Sequence, residues 1–147
     1  MGSEMCIRDS LGLGEAHVYH GDPNLAIDYL DTAIRLSPHD PMSWDMYHYK
    51  ASAYLRLDDY DRAIEHFEIA RDFPTAQYFP SVVLAALYVM QGDESRGVES
   101  LNRARELEPG VCIATMKEIY NMTEERPGSR AQKIIDALRQ IGLPENS

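Results

Sequence analysis

Three stretches of the chain repeat one another: GDPNLAIDYLDTAIRLSP, LDDYDRAIEHFEIARDFP and QGDESRGVESLNRARELEP. Superimposed, Ala26, Ala63 and Gly97 share one column, Leu30, Phe67 and Leu101 the next, and Ala33, Ala70 and Ala104 the third. Pro38, Pro74 and Pro109 close the copies. Ala63 and Gly97 are 34 residues apart and Ala26 and Ala63 are 37 apart, so the first junction carries three extra residues. Upstream, Gly14, Ala51 and Ala85 form a further small-residue column, followed three residues later by His17, Tyr54 and Tyr88. A period near 34 with this pattern marks stacked helix–turn–helix units. Small residues let two helices approach closely, and the larger columns fill the space between them. One unit cannot bury its apolar face alone, so three or more must stack.

The columns resemble the tetratricopeptide repeat family, whose pattern is a large residue, Leu-Gly/Ala and Tyr, then Ala, Phe, Ala and Pro. The resemblance implies an all-α solenoid of about three helix–turn–helix units, at 11–38, 44–75 and 78–109, with capping helices and a tail over 110–147. Helices are expected at about 11–20, 24–36, 43–57, 60–71, 77–91, 94–107, 112–122 and 130–141. Asp22-Pro23 and Asp40-Pro41 each pair an N-cap acceptor with a proline, which suits a helix start. Asp93-Glu94 opens another helix, and Ser129 follows the break at Arg126-Pro127-Gly128. In the last helix Ile134, Leu138 and Ile141 make a narrow apolar stripe, with Arg130, Lys133, Asp136 and Arg139 outward, as a solenoid cap requires.

Gly2 to Ser10 resembles the in-frame translation of a transposase sequencing adapter, so residues 1–10 are read as a non-native scar. On that reading the coding sequence enters near Leu11 and the chain is the C-terminal remainder of a longer protein. The expected consequence is an exposed apolar edge around Leu11, Leu13 and Val18, and self-association through it.

The net charge is −10. Without residues 1–10 there remain 22 acidic and 13 basic residues. This balance argues against a nucleic-acid partner, which needs clustered Lys and Arg, and against an anionic membrane surface. Cys6 belongs to the adapter-like segment and Cys112 stands alone in VCIATM, which reads as a small packing residue. With no disulfide framework, a reducing, cytoplasmic setting is the default.

No catalytic motif is present: neither GxSxG, nor a Walker A loop, nor HExxH. His17 and His20 lie one helix face apart beside Asp22, but His17 falls in the Tyr54/Tyr88 column and reads as packing. Asp58, Asp59 and Asp61 form an acidic turn without the glycine and twelfth-position glutamate of a calcium loop. No metal, no cofactor and no enzyme activity are expected. Trp44 lies in the insertion and reads as a plug over the first junction rather than an exposed binding residue.

The family resemblance implies a peptide groove lined by the first helix of each unit. Its inward positions fall here on Glu15 and Val18, on Asp45, His48, Ser52 and Leu55, and on Phe79, Val82, Ala86 and Val89, with Tyr19, Tyr49 and Arg56 adjacent. The candidate site residues are therefore Glu15, Tyr19, Asp45, His48, Ser52, Arg56, Phe79, Val82 and Ala86. Such a groove is acidic at one end and apolar at the other, which suits a peptide with a basic end. A covering of Phe79 and Val82 by the 112–122 helix, with Met116 and Tyr120 as partners, is the competing arrangement. The clamp that holds a terminal carboxylate in some family members has no counterpart: its positions are Leu11, Glu15, Tyr49, Phe79 and Val83. More narrowly, the ending Leu138-Arg139-Gln140-Ile141-Gly142-Leu143-Pro144-Glu145 resembles the C-terminal repeat region of bacterial multidomain regulators. In those proteins the repeats follow a class III adenylate cyclase or a winged-helix DNA-binding domain. The expected function is thus a protein-interaction scaffold, with a regulatory tail of such a cyclase or transcription regulator as the alternative.

Overall fold

The computed structural model describes residues 2–119 and 128–147. The described residues are helices joined by turns, with no strand among them. Two compact units divide the chain, Met1–Ala76 and Gln77–Ser147.

In the first unit, α1 spans Gly2–His20, α2 Pro23–Leu36, α3 Trp44–Arg56 and α4 Tyr60–Asp72. α1 pairs with α2 and α3 with α4, and α3 also lies against α2 and α1. The small-residue columns form the close contacts: Ala26, Ala33, Ala51, Ala63 and Ala70 are all 0% exposed. Phe67 and Leu30 fill the space beside them, both within 1% of complete burial. Gly14 carries its column in α1, where an added Cβ would lie 2.7 Å from Leu30 Cγ.

The helix ends follow from local chemistry. The Asp22 carboxylate accepts from Asn24 N–H at 2.8 Å ahead of Pro23, and Asp59 accepts from Arg62 N–H at 3.3 Å. Asp40-Pro41 acts differently from the expected N-cap. The Asp40 carbonyl accepts from Ser43 N–H at 2.9 Å and closes a 3-10 turn over Pro41–Ser43, so α3 begins only at Trp44. The Ser43 hydroxyl donates back to the Ser37 carbonyl, and the Thr75 hydroxyl to that of Pro41. The three-residue insertion is thereby held in place. Trp44 is 5% exposed, with its ring edge-on to His48.

Two expectations at the N-terminal end need correction. α1 extends to Gly2 rather than starting at residue 11. No proline interrupts the sequence there, so nothing local stops the helix. Of the expected exposed edge, Leu13 is 45% exposed, whereas Val18 is 1% exposed and shares a core cluster with Ala26, Leu30 and Ala53. Leu11 packs on that cluster. α2 and α3 together cover that stripe of α1.

In the second unit, α5 spans Phe79–Met90, α6 Glu94–Leu107, α7 Ile113–Ile119 and α8 Arg130–Gln140. α5 pairs with α6 and also packs on α8, and α7 contacts α8. Continuation of α7 to residue 122, and Tyr120 with it, lies outside the described residues. α8 buries Ile134, Ile135, Ala137 and Leu138 and leaves Lys133, Asp136 and Arg139 exposed. The C-terminal phrase is a clasp. The Pro144 and Glu145 carbonyls accept from Ile113 and Ala114 N–H at 2.8 and 3.0 Å, which satisfies donors at the start of α7. Arg139 Nε donates to Glu145 Oε1 at 2.6 Å, and Leu143 is buried. Cys112 is buried beside Thr115.

Candidate functional site

The candidate residues divide between the two units, and each set is best built separately. In the first unit α3 presents Asp45, His48, Ser52 and Arg56 in successive turns, and α1 presents Glu15. Tyr49, on the same helix, joins the two elements: its hydroxyl donates to Glu15 Oε1 at 3.2 Å. Glu15 is exposed, whereas Asp45 is half-buried.

Asp45 is the electrostatically unusual member. Burial raises its carboxyl to about 6, with the negative charges of Asp40 and Glu15 pushing the same way and the Met46 N–H opposing. Its Oδ1 is buried and accepts no hydrogen bond among the described residues. Three carboxylates therefore converge on one end of the α1–α3 surface, and one of them is partly desolvated. Such an arrangement favours a cation. It does not assemble a metal site: no cluster of three or more His, Cys, Asp or Glu side chains among the described residues could hold an ion. Asp40, the third carboxylate, reads in the sequence only as an N-cap. It lies directly ahead of the 3-10 turn at Pro41–Ser43, and its charge acts on Asp45.

The other first-unit candidates occupy different surroundings. His48 is 6% exposed, edge-on to Phe67 at 5.2 Å and to Tyr49 at 6.0 Å, so it is an aromatic core residue. Burial lowers its imidazole to about 4, which keeps it neutral. The Ser52 hydroxyl donates to the His48 carbonyl one turn back. Arg56 reaches across to α1, where its Nη1 lies 3.0, 2.8 and 3.0 Å from the carbonyls of His17, Val18 and Gly21. A cation at a helix C-terminus satisfies orphan carbonyls and complements the helix dipole. Arg56 is thus a capping residue of α1. The side chains of Tyr19 and His20 lie outside the described residues. His17 accepts at Nδ1 from Asp22 N–H at 3.1 Å and stacks on Tyr29, which fits the packing role read from its column.

In the second unit, Phe79 is half-buried with its ring 4.3 Å from that of Tyr78. Val82 and Ala86 are both 0% exposed, so neither offers a surface to a ligand. The physical reason is the composition of α5: every residue from Pro80 to Tyr88 is buried, and the helix is packed by both α6 and α8. The expected apolar wall is consequently interior.

The fold is of the tetratricopeptide-solenoid type. Residues 11–77 match the model of the tetratricopeptide repeat family. Solved structures share the fold, among them a crystal structure of MamA at TM-score 0.63 and 22% identity, covering 92% of this chain and 77% of that one. A second MamA structure aligns at TM-score 0.62 and 22% identity, over 92% of this chain and 72% of the other. No curated protein matches the chain. No described helix is long and apolar enough to cross a membrane.

Proposed function

We propose that the chain is a protein-interaction scaffold whose α1–α3 surface binds a basic side chain of a partner peptide. The observation that carries this reading is the partly desolvated Asp45 carboxyl beside Glu15 and Asp40, raised to about 6 with one oxygen lacking a donor. An incoming lysine or arginine pairs with the exposed Glu15 carboxylate and offsets the mutual repulsion of the carboxylates. Tyr49 holds Glu15 in place for that contact. The absence of catalytic motifs in the sequence fits a scaffold that does no chemistry of its own, and the net charge of −10 steers basic partners toward it.

The test is selection from a random 15-residue peptide array, followed by measurement of selected binders by fluorescence anisotropy. Binders should be enriched in Lys and Arg. The double substitution Glu15→Gln with Asp45→Asn should weaken them about tenfold or more, and wild-type binding should weaken as pH falls below 6 and Asp45 takes up a proton. Binders without basic enrichment, or unchanged affinity in the double variant, would sink the proposal.

The ending Leu138–Glu145 supports a second reading, a regulatory tail of a class III adenylate cyclase or of a transcription regulator in the cytoplasm. Amplifying the source DNA across Leu11 and reading upstream tests it, and tests the adapter reading of residues 1–10 at the same time.

A further inference from the structure

A pocket of about 400 Å³ opens within the first unit, between α2, the end of α3 and the start of α4. It shares none of its lining with the Glu15–Asp45 site. Ile27 and Leu57 supply apolar wall, and Leu57 is 40% exposed. Tyr54 forms the floor between two cations, with Arg62 Cζ 5.7 Å and Lys50 Nζ 6.0 Å from its ring centroid. Two carboxylates border the pocket, Asp28 on α2 and Asp59 ahead of α4.

The charges around this pocket are unequally committed. Asp59 caps α4 through Arg62 N–H and its Oδ2 lies 3.6 Å from Arg62 Nε. The Arg62 charge, on a side chain that stays 64% exposed, is shared between that carboxylate and the Tyr54 face. The Asp28 carboxylate is exposed, and among the described residues no side chain or backbone group pairs with it. Lys50 is paired with Asp31 at 2.6 Å, outside the pocket lining, so the surplus in the pocket is one negative charge set beside an aliphatic wall. A basic side chain matches both halves: its methylene stem covers Ile27 and Leu57 while its head reaches Asp28.

We propose that this pocket docks an arginine side chain of a protein partner, as a second contact independent of the α1–α3 surface. A polypeptide carrying two basic residues could then engage both sites, and the second contact would raise avidity through effective concentration.

The experiment is an ¹⁵N-HSQC titration of the full chain with N-acetyl-arginine methylamide, with N-acetyl-citrulline methylamide as the uncharged isostere. The arginine probe should shift the amides of Asn24, Asp28, Leu57 and Asp59 saturably, and the citrulline probe should not. Asp28→Asn, an exposed substitution, should weaken the arginine response about fivefold, the size expected for one exposed charge pair. Glu15→Gln with Asp45→Asn should leave these shifts unchanged, which separates this site from the α1–α3 proposal. Equal responses to both probes, unchanged binding by Asp28→Asn, or shifts confined to the neighbourhood of Glu15 and Asp45 would overturn the inference. The citrulline arm uses the unaltered protein and stands whatever the variant does.

Discussion

α3 and α5 occupy the same place in their repeats, yet one buries polar groups and the other almost none. α3 reads WDMYHYKASAYLR and places Trp44 and His48 in its core, with Asp45 half-buried beside them. α5 reads FPSVVLAALYVM and buries nine residues in succession, of which only Ser81 and the Tyr88 hydroxyl are polar. The contrast teaches that the small-residue columns fix how closely the helices pair but not how dry the interior is. α5, packed by α6 and α8, is apolar all round, whereas α3, packed by α4, α2 and α1, keeps polar groups within its contacts. The difference lies in composition rather than in the number of neighbours, and α3 carries the desolvation of Asp45 and His48 that α5 avoids.

The largest expected effect breaks this contrast with pH. His48 is buried with its pKa lowered from 6.5 to about 4. Between those values the unfolded chain binds more protons than the folded one, so stability rises with pH through the window and is lost on acidification. A shift of this size corresponds to roughly 3 kcal/mol. Asp45 acts in the opposite sense: its pKa is raised from 3.8 to about 6, so the folded chain binds more protons there and stability falls as pH rises. His48→Phe should therefore keep near-wild-type stability at neutral pH and remove most of the loss on acidification to about pH 4.5. Asp45→Asn should make that loss steeper. Urea midpoints at both pH values read both changes. A wild-type profile for His48→Phe would mean that the imidazole is not held neutral by burial. α5 has no group that titrates in this range, and so makes no contribution of its own.

A smaller effect sharpens the comparison of the paired helices. Ala63 in α4 and Gly97 in α6 share a column. At Gly97 an added Cβ would lie 2.6 Å from Val89 Cγ2 and 3.0 Å from the Ala85 carbonyl oxygen. α6 thus approaches α5 more closely than an alanine allows. Glycine-to-alanine substitution in a helix normally gains about 1 kcal/mol. Here overpacking should reverse the sign, with a net cost of about 1–2 kcal/mol. A raised melting temperature for Gly97→Ala would show that the α5–α6 contact yields at little cost.

The alanine, leucine and phenylalanine columns that fixed the fold are residues that the structure buries, because periodicity reports which face of a helix is small and apolar. Ala26, Leu30, Ala63, Phe67, Ala85 and Leu101 were readable for that reason. The candidate site was legible only in part. Glu15 and Asp45 come within electrostatic reach of one another, but Val82 and Ala86 are interior because α8 returns to cover α5, a contact between segments with no shared local pattern. Arg56 was misplaced for a related reason. A long side chain can reach several partners, and the carbonyls it meets, 35 to 39 residues away, leave no trace in the sequence. The C-terminal phrase reads as a family signature in the sequence, yet its physical role is to cap α7 and bury Leu143.

The smallest expected effect concerns the turns that end α3, α5 and α8. Each places one residue at positive φ: Asp58 at 57°, Gly92 at 86° and Gly142 at 94°. In each, the following N–H reaches the carbonyl five residues back, from Asp59 to Tyr54 at 3.0 Å, from Asp93 to Tyr88 at 2.9 Å and from Leu143 to Leu138 at 3.0 Å. This is the Schellman end, whose left-handed position favours glycine because it has no Cβ to crowd the following carbonyl. Asp58 takes that conformation at a cost that Gly92 and Gly142 do not bear. Asp58→Gly should therefore stabilise the chain by about 0.5–1 kcal/mol, with the added freedom of glycine in the unfolded chain limiting the gain. Gly92→Asp should destabilise it by a similar amount. Paired urea midpoints for the two substitutions decide the matter. Opposite signs mean that backbone conformation governs both turns. A loss in both means that the Asp58 carboxylate contributes more to the α3–α4 turn than its strained backbone costs.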